Sequence, residues 1–246
     1  MRGSTGSQAV LVLTAHPDDE SFRCGGLLAL LADRGVRVQV LAATRGEGGS
    51  CGDPPICAPE DLGAVREKEL RCACRALGIE PPLFLDYRDG TLTAADEGWA
   101  VERVLAVMDG LSPEALITWP PDGLSGHPDH IAVSRWATLA YERPAAEGWA
   151  MPLALYYLAV PRSVANRLGL TQLHATPDAE IDLTMDVSAV WERKMAAIRC
   201  HRTQAGESPI LRAPVERQRP FLGVEHFRRA TARADHDVVW RMCHHE

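Results

Sequence analysis

The feature that most constrains this chain is a repeated alternation of short apolar runs with longer amphipathic segments. Each apolar run has the length of a buried strand, and each amphipathic segment carries apolar residues at the spacing of one helix face. Strands that alternate with helices in this way form a parallel sheet covered by helices on both faces. We therefore predict an α/β fold, with a Rossmann-like three-layer arrangement of one parallel sheet between two helical layers.

The alternation also gives approximate boundaries for the elements. The predicted strands are Ala9–Leu13, Val36–Ala43, Leu83–Asp86, Ala115–Trp119 and Leu153–Val160, with a further one around Ala179–Leu183. The predicted helices are Glu20–Arg34, Glu60–Leu77, Gly98–Met108, His127–Tyr141 and Val187–His201. Gly35 and Gly78 directly follow two of these helices, where glycine commonly ends a helix. A polar tail is expected after His201.

Length and composition agree with an ordinary globular domain. The chain has 246 residues, of which 46% are apolar and 24% are charged. We predict one domain over residues 8–246, preceded at residues 1–7 by a disordered leader or a remnant of an expression vector. The net charge of −7 gives no electrostatic reason to bind nucleic acid. The apolar run Ala9–Leu13 is too short for a transmembrane segment.

The seven cysteines are odd in number and irregularly spaced, which argues against a disulfide framework. A reducing cytoplasmic location is therefore expected. Pairing of Cys51 with Cys57 stays open, because both lie in a loop rich in Gly and Pro. The same loop, Ser50–Pro59, is either a lid over a site or an ordinary surface loop.

Polar clusters follow four of the predicted strands. They are His16-Pro-Asp-Asp-Glu20, Thr44-Arg-Gly-Glu47, Asp86-Tyr-Arg-Asp89 and Ser125-Gly-His127-Pro-Asp-His130. Because the carboxyl ends of parallel strands meet at one edge of a sheet, these clusters are expected to converge. Open α/β sheets bind their ligands at that edge.

The first and fourth clusters have the residue types of a metal site. His16 and Asp19 are three residues apart and share a face of a helical first turn, and His127 and His130 have the same spacing. Two imidazoles and one carboxylate suit a borderline divalent metal, zinc first. Three protein ligands leave one position for water, as in catalytic zinc sites. Spacing alone leaves open which histidine of the fourth cluster binds the metal.

The remaining groups of these clusters suit acid–base chemistry. Asp18 lies off the ligand face but next to it, where it can act as general base. A histidine that does not bind the metal can stabilise an oxyanion and protonate a leaving nitrogen. Other polar and aromatic residues are assigned to structure: His201 to the end of its helix, and Trp119 and Trp149 to core packing.

The motifs resemble a known family. Ala15-His-Pro-Asp-Asp-Glu20 with Gly25-Gly26, and Gly126-His-Pro-Asp-His130 downstream, are similar to the PIG-L/LmbE family of zinc-dependent de-N-acetylases, over about residues 9–205. The resemblance implies the metal ligands His16, Asp19 and His130, the general base Asp18, and His127 as acid or oxyanion stabiliser oriented by Asp129. It further implies that Glu47, Arg66 and Asp89 contact sugar hydroxyls or nearby groups.

The resemblance implies substrates that are N-acetylglucosamine conjugates, namely thiol-precursor glycosides, the phosphatidylinositol glycolipid and glycopeptide antibiotics. One departure affects this expectation. Relatives in thiol pathways carry a tyrosine two residues before the first histidine of the second motif, where this chain has Ser125. The motifs therefore indicate the removal of an N-acyl group more clearly than they indicate the substrate.

The predicted function is hydrolysis of an N-acyl group, in the first place N-acetyl, from a small amino-sugar conjugate, with Zn2+ or another divalent metal as cofactor. One alternative is an amidase of the same family acting on a thiol conjugate or an antibiotic. Another is a noncatalytic structural zinc domain with His16, Asp19, His127 and His130 all bound. A nucleotide-binding module is disfavoured because no glycine-rich phosphate loop follows the first strand. Homo-oligomerisation is left open.

Overall fold

The computed structural model describes residues 8–143, 152–206 and 208–244, so the predicted leader at residues 1–7 lies outside it. Seven strands form one sheet in the order β3-β2-β1-β4-β5-β7-β6. The strands are β1 (Ala9–Thr14), β2 (Arg37–Thr44), β3 (Leu83–Tyr87), β4 (Ala115–Thr118), β5 (Ala154–Ala159), β6 (Leu183–Asp186) and β7 (Val224–Ala232).

Helices cover both faces of this sheet, which confirms the predicted α/β three-layer fold. They are α1 (Asp19–Arg23), α2 (Gly25–Asp33), α3 (Leu62–Leu77), α4 (Glu97–Leu111), α5 (Pro128–Glu142), α6 (Arg162–Leu168), α7 (Trp191–Cys200), α8 (Arg202–Ala205), α9 (Pro209–Arg212), α10 (Val215–Leu222) and α11 (Val238–His244). The helices α2, α3 and α7 pack together, and α4 packs on α5. Every residue of β1, β4 and β5 is buried, as expected for central strands between helical layers.

The sheet is mixed and not purely parallel, which corrects the sequence-based prediction. Strands β1 to β5 are parallel, whereas β7 runs antiparallel to both β5 and β6. The strand β7 lies in the segment predicted as a polar tail. Its sequence is Val-Glu-His-Phe-Arg-Arg-Ala-Thr-Ala. A strand with one buried face usually alternates apolar and polar residues, but here the buried position 225 is a charged glutamate, so the alternation is not visible in the sequence.

The predicted helix Glu20–Arg34 is two helices, α1 and α2, separated at Cys24. The carboxylate of Glu225 explains the break, because it accepts hydrogen bonds of 2.7 Å from the backbone N–H groups of both Gly26 and Leu27. These N–H groups belong to the first turn of α2, where they lack intrahelical partners and favour an anion. The side chain of Lys194, fully buried, donates to the same carboxylate at 2.7 Å.

Gly26 also marks a close approach between α2 and the segment before α7. A Cβ atom at this position would lie 2.4 Å from the Cβ of Val187, a distance that real contacts do not show. Gly25, its neighbour, has room for a Cβ at ordinary contact distances. The second glycine of the pair is therefore required by packing.

Cys72 of α3 and Cys200 at the end of α7 form a disulfide bond. No sequence pattern marks this pair, since its members are 128 residues apart and meet only because α3 packs on α7. Cys51 and Cys57 are free thiols. The expected cytoplasmic location gains no support from this bond, because disulfides persist mainly in oxidising compartments.

In the part of the chain that the structure describes, all seven strands belong to one sheet, and the extent of a single domain over residues 8–246 stays a prediction. Within the described ranges, no helix combines the length and the apolar character needed to cross a bilayer.

Gly26→Ala should lower the free energy of unfolding by about 1–3 kcal/mol, the usual cost of forcing an extra group into a packed core. The matched control is Gly110→Ala in α4, where an added Cβ meets nothing within 4 Å. That change should be neutral or stabilise the protein by up to about 1 kcal/mol, because alanine is the better helix former. Urea unfolding of both variants measures the difference, and equal effects would contradict the packing argument.

Lys194→Met should destabilise the protein by about 3–5 kcal/mol, because the carboxylate of Glu225 stays buried without its cation. Arg135→Met removes an exposed ion pair with Glu97 and should change the stability far less, because solvent screens the pair. Thermal and urea unfolding of the two variants compare a buried with an exposed pair. A cost for Lys194→Met as small as that for Arg135→Met would show that the buried pair is not needed to hold α2.

Candidate active site

The sheet order brings the two histidine-containing clusters together. The strand β1 is hydrogen-bonded to β4 in parallel, with Leu11 opposite Leu116, so the loops that follow these strands lie side by side. His16 follows β1, and the segment from His127 to His130 begins α5 after β4. The ring centroid of His16 lies 5.0 Å from that of His127 and 5.4 Å from that of His130.

His16, Asp19 and His130 offer ligand atoms that all lie within 4.8 Å of one another. Nδ1 of His16 is 3.9 Å from Oδ2 of Asp19, and Nε2 of His130 is 3.6 Å from Oδ1 of the same carboxylate. The other nitrogen of His130, Nδ1, is 3.2 Å from the carbonyl oxygen of Gly123. A metal-binding histidine has one ring nitrogen facing the metal and the other donating to an oxygen, so His130 could bind a metal through Nε2.

The carboxylate of Asp19 is held in place by three donors. Its Oδ2 accepts from the backbone N–H groups of Ala15 (3.1 Å) and His16 (3.0 Å) and from Nε1 of Trp119 (3.2 Å). The indole of Trp119 also stacks on the ring of His130 at 3.9 Å. Trp119 is thus buried, as the sequence predicted, but it also orients two groups of the site. Its position directly after β4, at the edge of the sheet where the polar clusters lie, was the sequence feature that could have indicated this role.

A second group of potential ligands consists of His16, His127 and Asp129. Its carboxylate is already engaged, because Asp129 accepts from the backbone N–H groups of Gly90 (2.7 Å) and Leu92 (3.1 Å) and lies 3.3 Å from Nε2 of His16. His127 Nδ1 accepts a hydrogen bond of 3.2 Å from the backbone N–H of Asp129. Asp129 therefore contacts His127 through its backbone, and its carboxylate contacts His16.

Asp18 has an unusual backbone conformation, with a φ of 119°. Such angles are costly for a residue with a side chain and persist only where the surroundings enforce them. Its N–H donates to the carboxylate of Glu20 (3.1 Å), and its carbonyl accepts from the N–H groups of Ser21 and Phe22. Burial raises the pKa of the Asp18 carboxyl to about 6, although the guanidinium of Arg66 at 3.3 Å acts in the opposite direction.

Glu20 and His201 form a buried pair beneath Asp18, with 2.9 Å between Oε1 of Glu20 and Nε2 of His201. Burial disfavours the charged imidazole, but the carboxylate of Glu20 outweighs this effect and raises the pKa of His201. The sequence reading assigned His201 to the end of its helix. Its buried contact with Glu20, 181 residues away, became visible only through the packing of α1 on α7.

The three residues expected near the sugar lie around the loops that follow β2 and β3. Arg66 is buried and donates from Nη1 to the carbonyl of Gly46 at 2.7 Å. Glu47 Oε1 accepts from the backbone N–H of Asp89 at 3.0 Å. Asp89 Oδ1 lies 3.0 Å from Nε2 of His16. Burial would raise the pKa of Asp89, but the contact with His16 holds it at about 2.

The loop after β4 borders a cavity of about 260 Å³ lined partly by His174, Asp122 and Tyr157. The imidazole of His174 lies against Gly126, and its backbone N–H donates to the carbonyl of Leu124 at 2.6 Å. No sequence pattern marked His174. Ser125, the residue before Gly126, is exposed.

The loop over residues 50–59 is attached next to the site. Nε2 of Gln204 donates to the carbonyl of Ser50 at 2.7 Å, and Gly52 packs against Thr203. Whether the loop acts as a lid stays a prediction. Trp149 lies outside the described residues.

Comparison with known proteins identifies the family. Residues 11–141 match the family described as PIG-L, GlcNAc-PI de-N-acetylase. The chain is 35% identical over 237 residues to the 1D-myo-inositol 2-acetamido-2-deoxy-α-D-glucopyranoside deacetylase of Saccharomonospora viridis, covering 81% of this chain and 86% of the relative. It is 31% identical over 196 residues to a Bacillus cereus protein named probable N-acetyl-α-D-glucosaminyl L-malate deacetylase 2, covering 79% and 83%. The chain belongs to the PIG-L family of deacetylases.

Solved structures agree with this fold. The N,N'-diacetylchitobiose deacetylase of Pyrococcus horikoshii superimposes with a TM-score of 0.68 at 20% identity, covering 91% of this chain and 84% of that one. The 4-carboxy-2-hydroxymuconate hydratase of Pseudomonas putida gives a TM-score of 0.70 at 20% identity, covering 94% and 99%. The same fold thus carries a hydratase as well as deacetylases, so the fold by itself does not define the reaction.

The two candidate ligand groups make opposite predictions for His127, which precedes α5, and His130 in its first turn. If His16, Asp19 and His130 hold the metal, His130→Ala should weaken Zn2+ binding by more than about 100-fold, since even changes to residues behind the ligands cost 10–100-fold. His127→Ala should leave the affinity within a few-fold of wild type. Competition with a chromophoric chelator, on metal-free protein, measures both. If His130→Ala kept the metal and His127→Ala lost it, the ligands would instead be His16, His127 and Asp129.

Proposed function

We propose that this protein is a zinc-dependent hydrolase that removes an N-acyl group, in the first place N-acetyl, from an amino-sugar conjugate. The observation that carries the proposal is the convergence of Nδ1 of His16, the carboxylate of Asp19 and Nε2 of His130, with the remaining ring nitrogens engaged by oxygen atoms. Membership of a deacetylase family supports the same reaction.

The donor set fits zinc, because two imidazoles and one carboxylate are among the ligand sets of catalytic zinc sites. His16, Asp19 and His130 would hold the ion. When bound there, zinc supplies Lewis acidity and lowers the pKa of water toward about 7. A closed structural site with His127 as fourth ligand is less well supported, because His127 is exposed and its Nδ1 already accepts a hydrogen bond.

Asp18 is the proposed general base. Its carboxylate adjoins the ligand Asp19 in sequence, and its backbone is fixed by the contacts with Glu20 and the start of α1. The guanidinium of Arg66, 3.3 Å away, holds the carboxylate on one side. A base in this position takes the proton of the attacking water without being consumed as a metal ligand.

His127 is the proposed acid for the leaving nitrogen. Because its Nδ1 accepts the N–H of Asp129, a neutral imidazole at this position carries its proton on Nε2. The ring is exposed and stacks beside His130, with 4.7 Å between ring centroids, so Nε2–H is available to a substrate. In this neutral form Nε2–H can stabilise the oxyanion as a hydrogen-bond donor. Transfer of a proton to the leaving nitrogen uses the imidazolium form, in which Nδ1 is also protonated and no longer accepts from Asp129.

An amino-sugar substrate is supported by the relatives, whose names describe glucosaminyl conjugates of inositol and of L-malate. Glu47, Arg66 and Asp89 are the proposed residues on the sugar side, since they surround the loops next to His16. An amidase acting on a thiol conjugate or an antibiotic remains the alternative within the family.

Asp18→Asn should keep the metal and lose turnover by about 10²–10⁴-fold, because the carboxamide cannot accept the proton of water. The measurement combines zinc content of purified protein with amine release, detected by an amine-reactive probe. The panel contains N-acetylglucosaminyl inositol, N-acetylglucosaminyl malate, N,N'-diacetylchitobiose and an N-acylated thiol conjugate. The wild-type profile selects among the substrates.

The control for this experiment is Asp33→Asn, which removes an exposed carboxylate paired with Arg193 at the end of α2. It should leave both zinc content and turnover unchanged. If Asp18→Asn lost zinc but kept activity on added metal, the roles of Asp18 and Asp19 would be exchanged. Absence of amine release from every compound by zinc-loaded wild type would refute the proposed function.

We also propose a cytoplasmic location and a single domain over residues 8–246, with no binding of nucleic acid.

A further inference from the structure

We propose that Asp89 is a positioning residue for the metal site, which together with Asp129 holds Nε2 of His16 so that Nδ1 faces the metal. This role is separate from any contact that Asp89 makes with a substrate. The inference rests on the metal site of the proposed function, but it does not depend on the identity of the substrate.

Two carboxylates converge on one nitrogen. Oδ1 of Asp89 lies 3.0 Å and Oδ2 of Asp129 lies 3.3 Å from Nε2 of His16. The side chains are little exposed, at 11% for Asp89, 0% for Asp129 and 10% for His16. Water therefore does not compete strongly for these contacts. Nδ1 of His16 points instead toward Asp19.

Each carboxylate is fixed by backbone groups of a different loop. Oδ2 of Asp89 accepts from the N–H of Gly48 at 3.0 Å, in the loop after β2. The oxygens of Asp129 accept from the N–H groups of Gly90 and Leu92, in the loop after β3. Neither carboxylate can therefore rotate away from His16 without losing a hydrogen bond to the backbone.

The consequence for His16 follows from the chemistry of imidazole. A neutral ring has one N–H donor and one acceptor nitrogen, and only the acceptor can bind a metal. Acceptors at Nε2 place the proton there and leave the lone pair of Nδ1 for the metal. A carboxylate behind a metal-bound histidine also makes the ring a stronger ligand. Asp89, with the shorter contact, should contribute measurably to metal affinity.

Asp89→Asn tests this role, because the N–H of Gly48 requires an oxygen atom opposite it. The carboxamide should therefore present its NH2 group to His16 and offer a donor where Nε2 needs an acceptor. We expect Zn2+ affinity, measured on the full chain by chelator competition, to fall by about 10–100-fold. The absorption spectrum of the Co2+-loaded variant should also change, since the orientation of a ligand has changed.

Asp89→Ala gives a second, independent measurement. It deletes the acceptor without introducing a donor, and Asp129 remains in place. Its affinity for Zn2+ should lie between those of wild type and Asp89→Asn. This order separates positioning from simple attraction between charges, because both variants remove the same negative charge.

The matched control is Asp86→Asn, three residues earlier and near the end of β3. Asp86 is exposed and paired with Arg45, so the change removes an equal charge without touching His16. Its φ of 57° is tolerated by asparagine, so the backbone should not change. Zn2+ affinity should stay within about two-fold of wild type, and urea unfolding of the metal-free proteins checks that all variants fold.

The proposal is overturned if Asp89→Asn and Asp89→Ala bind Zn2+ as tightly as Asp86→Asn, including the case in which they only raise KM. It is also overturned if the two variants are equally weak, since charge alone would then explain the loss. Failure of the proposed function looks different: wild type would release no amine, while the order of Zn2+ affinities would still follow the order given above.

Discussion

The site depends above all on the hydrogen bonds that meet at Nε2 of His16. The histidine follows β1, and the carboxylates that face it come from the loop after β3 and from the start of α5 after β4. The loop after β2 supplies the N–H of Gly48 that fixes one of them. Four strand ends are thereby joined at one imidazole. This convergence is possible only because β1 lies in the centre of the parallel part of the sheet, beside both β2 and β4.

A second set of contacts fixes the start of α2 and, with it, the short helix that carries Asp19. The carboxylate of Glu225 binds the first N–H groups of α2 and is neutralised by the buried ammonium of Lys194. A buried ion pair of this kind gains little stability over an apolar pair, but removal of one partner is costly. The pair lies where α1 ends and α2 begins. The antiparallel strand β7, which supplies Glu225, thus supports a site formed by the parallel strands.

The fold and the chemistry of this protein are determined at different levels. Structures that superimpose well include a hydratase as well as a deacetylase, so the arrangement of helices and sheet is compatible with more than one reaction. What favours amide hydrolysis here is a small number of side chains at the edge of the sheet. These are His127 with its engaged Nδ1, Asp18 beside Arg66, and the two histidines proposed as metal ligands.

The sequence by itself determined the α/β fold, the five parallel strands and the residues at their carboxyl ends, because periodicity and local motifs act over a few neighbouring positions. It did not reveal β7, because the charge of the buried Glu225 is compensated by Lys194, which is distant in the sequence. It also did not reveal the disulfide of Cys72 and Cys200 or the contact of Asp89 with His16. These interactions join residues that are 31 to 128 positions apart, and only the packing of whole elements brings such residues within bonding distance.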